Sequence, residues 1–461
     1  MSGEADAGRA PSFEAVVVGA GISGLSAAFR LARAGLRVAV LEASPRPGGA
    51  LVTHDEGGFR FELGPNTVVE SDPGLPALIE ACGLAGERLA PSPAARRRYV
   101  WHRGRLRPLP GGPLAFLLSP LFSPGAKLRL LREPWAPPPP AAGEETIANF
   151  VRRRAGRQFL DLVVGPVVSG VYAGDPERLA VRWAAPRIAA LEAEHGSLLR
   201  AALARRRGAA PRRGMVSLAG GIEELPRRLA RESGEVRCGV ACRRVLGRAG
   251  RFVVEHDGGS LTAARVVLAV PAAAAAALLE TATAGRSRPL AEVPYAAVAV
   301  VAAGYRREDV AHPLDGFGFL RALGSGLRML GCVFASSLFP DRAPAGHVAL
   351  TAFLGGRTDP EAAGWSDERL AAAAHDDLRR VLGARALPVV SVVRRWPRAI
   401  PQYEAGHGRY LELQRELERE LDGLYLAGSY LRGVSVADCV RDGLAVADRI
   451  LDGAAAAPSN G

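Results

Sequence analysis

The chain of 461 residues has very little lysine: Lys127 is the only one, and arginine supplies nearly all of the 59 basic side chains. The net charge of +12 would suit an acidic ligand, an anionic membrane surface or nucleic acid. However, the arginines are spread over the whole chain beside many Ala, Gly and Pro residues, which indicates a compositional bias of the source organism. The arginine cluster at residues 205–207 predicts solvated charge, and no nucleic-acid-binding motif accompanies it, so we expect no nucleic-acid partner.

Metal-binding motifs, disulfide patterns and long apolar runs are also missing. The five cysteines contain no CxxC pair and the eight histidines no HExxH motif, so neither a disulfide framework nor a metal site is indicated. No stretch of about 18 residues is free of proline and charge. The nearest, residues 266–279, is split by Pro271. Because the first residues lack a secretory signal pattern, the sequence predicts a reduced, cytoplasmic protein without a membrane span.

The strongest signal is residues 14–42, EAVVVGAGISGLSAAFRLARAGLRVAVLE. It predicts a buried strand over residues 15–18, a turn with three glycines at GxGxxG spacing, a helix over residues 22–34 and a second strand over residues 36–41, followed by Glu42. The first glycine permits the tight turn, the second lets the backbone approach a pyrophosphate, and the third lets helix and strand touch. The helix N-terminus attracts the pyrophosphate, and the acid can accept hydrogen bonds from ribose. The segment therefore predicts a dinucleotide site.

The remaining chain changes pattern several times. A second glycine pair at residues 48–49 precedes a hairpin pattern at residues 57–66, and helical periodicity dominates from Thr146 to about residue 206. Short strand patterns return after Gly214, and a strand–glycine–helix unit that begins at Leu424 closes the chain. Nucleotide-binding patterns at both ends predict one nucleotide domain assembled from distant segments, with a substrate domain inserted between them.

The stretch from Leu114 to Trp135 mixes apolar clusters, broken by proline, with Lys127, Arg129 and Arg132. Such a segment can dip into a bilayer interface while its cations meet lipid phosphates. The alternative is a buried helix pair with a basic outer face. The pattern favours peripheral contact with a membrane and leaves that alternative open.

Several further motifs are more selective than the glycine-rich opening. They are FELGPN at residues 61–66, GVYAGDP at 170–176, GFGFL at 316–320, LFPDRAP at 338–344, TAFLGG at 351–356, AIPQY at 399–403, AGSY at 427–430 and GVSV at 433–436. With these motifs, nearly the whole chain resembles the flavin-containing protoporphyrinogen oxidases of haem synthesis, within the FAD-containing amine oxidase superfamily. The opening unit alone is shared with amine oxidases and carotenoid desaturases.

The resemblance implies an α/β protein with a Rossmann-like FAD-binding domain assembled from discontinuous segments, an α+β substrate domain and a mostly helical membrane-contact insertion. The implied FAD-binding domain comprises residues 1–85, 210–290 and 395–461, the helical membrane-binding and substrate-entry domain 86–209, and the substrate-binding domain 291–394. Noncovalent FAD, O2 as acceptor, H2O2 as product and peripheral attachment to the cytoplasmic membrane are also implied. The oligomeric state is left open, with a homodimer as one option.

The resemblance also assigns residues to the FAD site. Val434, Ser435 and Val436 would form a helix N-terminus aimed at the flavin pyrimidine, where it stabilises negative charge on the reduced ring. Val240 matches a position where a backbone group meets adenine, although a lone valine is also an ordinary core residue. The expected FAD-binding set is Gly19, Gly21, Ile22, Ser23, Gly24, Glu42, Ala43, Gly48, Gly49, Gly64, Pro65, Asn66, Thr67, Val240, Trp396, Gly428, Ser429, Val434, Ser435 and Val436.

For a tetrapyrrole substrate with propionates, the resemblance implies a contact from Arg98, whose guanidinium fork matches a carboxylate. The alternative is a solvated surface arginine. Three apolar residues match positions that sandwich the flat macrocycle, although each alone also fits a core position. Asn66 and Gly174 are expected near the substrate, and both also fit ordinary turns. The expected substrate-binding set is Arg98, Asn66, Gly174, Leu320, Val333 and Phe353.

No acid–base residue is assigned, because loss of a pyrrole proton completes each oxidation. The nearest rival function is coproporphyrinogen oxidation, whose substrate carries more carboxylates and would want more cations at the pocket rim. An amine oxidase often places a lysine near the flavin, and Lys127 lies in the apolar and basic stretch instead. A carotenoid desaturase would need a long tunnel and would release no peroxide, and a tetrapyrrole carrier would bind without oxidising.

Overall fold

The computed structural model describes residues 12–140, 143–205 and 214–456. The first eleven residues, where no signal pattern was expected, and Arg206 and Arg207 of the predicted solvated cluster lie outside the described residues. The strands are β1 (Phe13–Val18), β2 (Val38–Glu42), β3 (Thr53–Glu56), β4 (Phe59–Glu62), β5 (Val68–Val69), β6 (Arg88–Leu89), β7 (Arg97–His102), β8 (Arg105–Pro108), β9 (Met215–Leu218), β10 (Glu235–Cys238), β11 (Cys242–Arg248), β12 (Arg251–His256), β13 (Gly259–Leu268), β14 (Tyr295–Arg306), β15 (Gly316–Arg321), β16 (Met329–Val333), β17 (His347–Gly355), β18 (Val390–Pro401) and β19 (Leu424–Leu426). The α-helices are α1 (Ile22–Arg33), α2 (Gly74–Ala81), α3 (Pro113–Leu118), α4 (Pro124–Leu131), α5 (Ile147–Arg154), α6 (Arg157–Phe159), α7 (Gly165–Tyr172), α8 (Val181–Ala184), α9 (Pro186–His195), α10 (Leu198–Arg205), α11 (Glu224–Glu232), α12 (Ala272–Leu279), α13 (Ala335–Leu338), α14 (Asp367–Leu382), α15 (Gly408–Glu420), α16 (Ser429–Arg432) and α17 (Val436–Ala456).

The first sheet is built around β1, which is apolar at successive positions because both of its faces are buried. Ala15 and Val17 pack into a core shared with α1 and α17, whereas Val16 and Val18 pack into a core shared with α12 and α15. Strands β10, β2, β1, β13 and β19 run parallel, and β12 and β11 continue the sheet antiparallel.

The parallel strands of this sheet end level with one another. Val18 pairs with Leu41 on one side and with Leu268 on the other, and Leu268 pairs with Leu426. Their carboxyl ends therefore form one edge of the sheet, which we call the carboxyl edge. In open sheets of this kind, ligands bind outside the carboxyl ends of the strands.

The second sheet has the order β18-β14-β17-β16-β15-β7-β8. It is antiparallel throughout except for the parallel pair β15 and β7. One face packs on α14 through alternate residues such as Leu350, Ala352 and Leu354. The opposite face carries the candidate substrate residues described below.

The edge hairpin of this sheet comes from residues 86–209, the stretch predicted to form the helical domain. Strands β7 and β8 pair within the sheet, and Tyr99 and Trp101 bury their rings in the core beside Phe319. Strand β18 spans residue 394, where the predicted boundary between the substrate-binding and FAD-binding domains lies. The division into three domains stays a prediction.

A helical segment, α3 to α10, covers the end of the second sheet. Its interior combines an apolar cluster around Phe150, Val151 and Leu160 with a buried ion network. In that network, Arg154 donates hydrogen bonds to Glu133 and Glu192. None of the described helices is long and apolar enough to cross a bilayer.

Candidate functional site

The glycine-rich turn after β1 has three glycines that are constrained in different ways. Gly19 has φ of +102°, and a Cβ atom there would lie 2.4 Å from the carbonyl oxygen of Ala269. A Cβ at Gly24 would lie 2.1 Å from the carbonyl oxygen of Gly19, so this glycine permits the helix to touch the turn. A Cβ at Gly21 would meet no protein atom within 4 Å. Gly21 therefore leaves open space at the N-terminus of α1, where a pyrophosphate would be cradled.

Glu42 joins two strand ends at the carboxyl edge. Its Oε2 accepts a hydrogen bond of 2.8 Å from the Ala20 backbone N–H, and its Oε1 accepts one of 2.8 Å from the Ser44 N–H. The Val240 N–H donates to the Glu42 carbonyl oxygen at 2.9 Å. The Ser44 hydroxyl also donates to Oε1, so Oε2 keeps one lone pair for a ribose hydroxyl. An adenosine whose ribose reached Glu42 would therefore meet the backbone at Val240.

The second glycine pair lies against the first turn. The Gly48 N–H donates to the Ala20 carbonyl at 2.8 Å, and a Cβ at Gly49 would lie 3.3 Å from the Gly21 Cα. Arg46 holds this segment in place by donating to the carbonyl oxygens of residues 47, 49 and 51. Sequence reasoning missed Arg46, because an arginine in a glycine-rich loop carries no local signal of a structural role.

Helices α1 and α17 pack closely near their N-termini. A Cβ at Gly443 would lie 2.2 Å from the Ser23 carbonyl oxygen, so glycine permits this crossing. Ser435 caps α17 by accepting a hydrogen bond from the Asp438 N–H at 3.1 Å. The N-terminus of α1 thus lies at the carboxyl edge, the N-terminus of α17 precedes its contact with α1, and each is a positive dipole end.

Cys439 lies in the same contact between α1 and α17. Burial raises the pKa of its thiol to about 12, while a hydrogen bond with Ser23 acts in the opposite direction. Thiolates, not thiols, are the nucleophiles. The site therefore gives no support to a covalent flavin link at this cysteine.

Four candidate substrate residues share one face of the second sheet. Phe353 of β17 pairs with Gly331 of β16, and Gly331 pairs with Leu320 of β15. Two residues away along these strands, Val333 of β16 pairs with Gly318 of β15, and Gly318 pairs with Arg98 of β7. Directly paired residues and residues two apart point to the same side of a sheet. We call the surface formed by Phe353, Val333, Leu320 and Arg98 the substrate face.

Exposure separates the substrate face from the opposite face. Leu320, Val333 and Phe353 are each only partly buried. Their strand neighbours Phe319, Cys332 and Ala352, which point to the other side, are at most 2% exposed. The three apolar residues are thus clustered at a surface that a flat ligand could cover, and Gly170 of α7 packs against Leu320 at one side.

Trp396 connects this face to the nucleotide end of the molecule. It lies on β18, and its indole N–H donates to the Leu63 carbonyl oxygen at 2.7 Å. The next residue, Gly64, packs on the second glycine segment, since a Cβ there would lie 1.9 Å from the Ala50 carbonyl oxygen. Residues 64–67 therefore lie between the glycine turns and the second sheet.

Arg98 and its neighbour have different surroundings. Arg97 forms an ion pair with Asp315, which also accepts a hydrogen bond from the Tyr99 hydroxyl at 2.6 Å. Arg98 is exposed, and its guanidinium carbon lies 5.5 Å from the centre of the Phe317 ring. The guanidinium is thus placed at the rim of the substrate face.

Asn66 and Gly174 have close protein partners. The Asn66 amide donates to the Gly64 carbonyl oxygen at 3.2 Å, as expected of a turn asparagine. A Cβ at Gly174 would lie 2.7 Å from Oε1 of Gln402 and 2.9 Å from Leu179, so packing within the protein accounts for this glycine. A substrate contact for either residue stays a prediction.

Comparisons with known proteins show the family to which the chain belongs. The sequence profile described as flavin containing amine oxidoreductase matches residues 22–451. The chloroplastic protoporphyrinogen oxidase of Oryza sativa subsp. japonica is 34% identical, over 95% of this chain and 89% of that protein. Human protoporphyrinogen oxidase is 33% identical, over 92% of this chain and 95% of that protein, and the coproporphyrinogen III oxidase of Bacillus subtilis (strain 168) is 28% identical with the same coverages.

The fold is similar to that of solved structures. A crystal structure from Exiguobacterium sp. 255-15, named provisionally as a protoporphyrinogen oxidase, has a TM-score of 0.82 and 27% identity over 96% of this chain and 99% of that one. The mixed α/β fold is therefore that of flavin-dependent amine oxidases and their relatives. The chain belongs to the flavin-containing amine oxidoreductase family and, within it, to the FAD-dependent protoporphyrinogen oxidases.

Proposed function

We propose that this protein oxidises protoporphyrinogen IX to protoporphyrin IX with O2 as acceptor and releases H2O2, in the penultimate step of haem biosynthesis. The observation that carries this proposal is the substrate face, where Phe353, Val333 and Leu320 form an apolar surface with Arg98 at its rim. A flat apolar macrocycle with anionic side chains is complementary to such a surface.

The FAD would lie between the carboxyl edge and the substrate face. Gly21 and the N-terminus of α1 would hold the pyrophosphate, Glu42 the ribose, and the backbone at Val240 the adenine. The N-terminus of α17 at residues 434–436 and the 64–67 segment would hold the isoalloxazine. When bound, FAD supplies the acceptor for a hydride from a methylene bridge of the substrate. A Rossmann-like FAD-binding domain assembled from distant segments fits this placement.

The protein side chains would bind and orient the substrate. Arg98 would pair with a propionate, and the apolar residues would hold the macrocycle flat and exclude water. Loss of a pyrrole N–H proton completes each oxidation, so we assign no side chain as general acid or base.

Peripheral attachment to the cytoplasmic face of a membrane is part of the proposal. Six large apolar side chains of the 114–135 segment are 45–77% exposed, and Lys127, Arg129 and Arg132 lie on the same segment. Exposed leucines argue against the alternative of a buried helix pair. The exposed apolar residues are Leu114, Leu117, Leu118, Leu128, Leu131 and Trp135. Such a surface is suited to the headgroup region of an anionic bilayer.

The proposal is tested by mixing purified protein with protoporphyrinogen IX in aerobic buffer and following porphyrin fluorescence and peroxide. Anaerobic addition of substrate should bleach the yellow flavin. A carrier that does not oxidise its ligand would bind without bleaching, and would disprove the proposal.

Coproporphyrinogen III oxidation to coproporphyrin III is the second candidate, because a named coproporphyrinogen III oxidase is 28% identical to this chain. The 34% identity to the rice protoporphyrinogen oxidase favours the first candidate. Turnover of both porphyrinogens side by side decides between them by the ratio of kcat/KM.

A further inference from the structure

A buried hydroxyl contacts both ends of the helical turn between β19 and α17. Tyr403 follows β18 and is 1% exposed. Its hydroxyl donates a hydrogen bond to the Ser429 carbonyl oxygen and accepts one of 2.7 Å from the Gly433 N–H. Because Ser429 begins α16 and Gly433 follows its last residue, one side-chain oxygen joins the two ends of this turn.

Two other side chains, the half-buried Asp442 and the buried His407, hold the same segment. Asp442 of α17 accepts a hydrogen bond of 2.8 Å from the Gly428 N–H, and His407 lies 3.3 Å from the Leu431 carbonyl oxygen. Gly433 has φ of +137°, and a Cβ there would lie 2.4 Å from Cγ of Asp438. The backbone of residues 428–433 is thus bonded to the protein interior, directly before the three residues assigned to the flavin.

The surroundings of Tyr403 keep its ring and its hydroxyl fixed. The ring packs at 4.3 Å from the His407 ring and at 6.3 Å from the Tyr172 ring. Burial holds the pKa of the Tyr403 hydroxyl well above its ordinary value, so the group stays protonated and can donate and accept at once. Without this oxygen, a backbone N–H and a backbone carbonyl would lose their partner in the interior.

We propose that Tyr403 is a positioning residue that sets the distance between residues 434–436, at the N-terminus of α17, and the flavin pyrimidine ring. This inference rests on the proposed FAD site. Helix dipoles act over about one turn, so a small displacement of the α17 N-terminus weakens its stabilisation of the reduced, anionic flavin. Tyr403 therefore acts on the flavin through the backbone that it holds.

The test replaces Tyr403 by Phe and uses Y410F as the matched control. Tyr410 is also buried and its ring meets the His407 ring edge-on, with the ring centres 5.6 Å apart, but its hydroxyl accepts a hydrogen bond from Arg409 instead of holding the segment. On the holoenzymes we would measure FAD dissociation, the midpoint potential of the flavin and hydrogen exchange of residues 428–436.

Y403F should release FAD about tenfold faster than wild type, shift the midpoint potential to more negative values and speed exchange mainly at residues 428–436. Y410F should match wild type in all three. An unchanged potential and FAD dissociation in Y403F would overturn the inference. So would a fall in Tm with exchange raised evenly over the whole chain, because Tyr403 would then serve stability alone. A wild-type protein that carries flavin but does not oxidise porphyrinogens would instead disprove the proposed function and leave this comparison valid.

Discussion

The side chains of Glu62 and Arg342 meet in the protein interior, with a guanidinium nitrogen 3.6 Å from a carboxylate oxygen and only 4% and 1% of the two side chains exposed. Glu62 also accepts hydrogen bonds from the Thr53 hydroxyl at 2.8 Å and from the Ile222 N–H at 3.0 Å. Arg342 donates to Ser217 at 2.9 Å. The pair thus joins three distant segments next to residues 64–67 of the proposed flavin site.

Replacing Arg342 by Met should destabilise the protein strongly. Above about pH 7, where Glu62 is ionised, the substitution leaves a buried carboxylate without its cation, which typically costs about 3–5 kcal/mol. The control is R30M, because Arg30 pairs with Asp448 at 3.1 Å where both side chains are more than half exposed. Exposed pairs contribute roughly 1 kcal/mol or less. Chemical denaturation measures the free energy of unfolding of both variants. Equal losses would show that the buried pair contributes no more to stability than the exposed one.

Glu62 should also give the stability a characteristic pH dependence. Burial raises the pKa of this carboxyl from an ordinary value of 4.5 to about 7, although Arg342 acts in the opposite direction. Between these two values the folded state holds a proton that the unfolded state has released, so stability falls as the pH rises. The contribution of this group is present below about pH 4.5 and is lost by about pH 7.

The variant E62Q lacks this titratable group and is the reference for wild type. The free energy of unfolding of wild type, relative to E62Q, should fall by an amount on the order of 2–3 kcal/mol between these pH values. Denaturation curves collected over the range measure it. Parallel pH profiles for the two proteins would show that Glu62 titrates normally.

The first βαβ unit could be predicted from sequence because its signals are local. The helix expected over residues 22–34 is observed at Ile22–Arg33, and the strand expected over residues 15–18 at Phe13–Val18. Glycine spacing and apolar runs specify such elements within about thirty residues. The sequence therefore located the glycine turns of the candidate site.

Long-range pairing could not be predicted in this way. The parallel pairing of β7 with β15 joins residues more than two hundred positions apart, and no local pattern encodes it. Tyr403 is a comparable case, since a buried tyrosine gives no sign in sequence that its hydroxyl bonds a turn 26 residues later. Tyr403 is the last residue of the motif AIPQY, which only the family resemblance singled out.

Two glycines of the first turn should respond differently to alanine. G21A adds a methyl group where no protein atom lies within 4 Å, so folding should be unaffected while FAD binding weakens at least tenfold. G24A places a methyl group 2.1 Å from a carbonyl oxygen and should lower the stability itself, by about 1–3 kcal/mol.

Gly86 is the matched control for this pair, because its Cβ would also meet nothing within 4 Å. Flavin titration and thermal unfolding of all three variants separate binding from folding. Normal FAD affinity in G21A would show that the pyrophosphate does not bind at this turn.

Arg98 should affect substrate binding more than turnover. R98M removes a guanidinium from the rim of the substrate face, and loss of a charge-assisted hydrogen bond of about 1.5–3 kcal/mol corresponds to a KM raised roughly 10- to 100-fold. R98K should recover part of the loss, because an ammonium keeps the charge but not the fork. R96M, at an exposed neighbouring arginine, is the control. If R98M and R96M had the same KM, Arg98 would not be the residue that binds the propionate.

The apolar surface of the 114–135 segment should determine membrane binding. Leu118 is 75% exposed on α3, and Leu387, outside that segment, is 73% exposed. L118S should weaken binding to vesicles that contain phosphatidylglycerol about tenfold, since burying a leucine contributes about 1.5–3 kcal/mol. L387S should bind like wild type. Cosedimentation measures both, and added salt should weaken wild-type binding because cations contribute to it. Equal losses in the two serine variants would show that exposure alone, and not this segment, governs the contact.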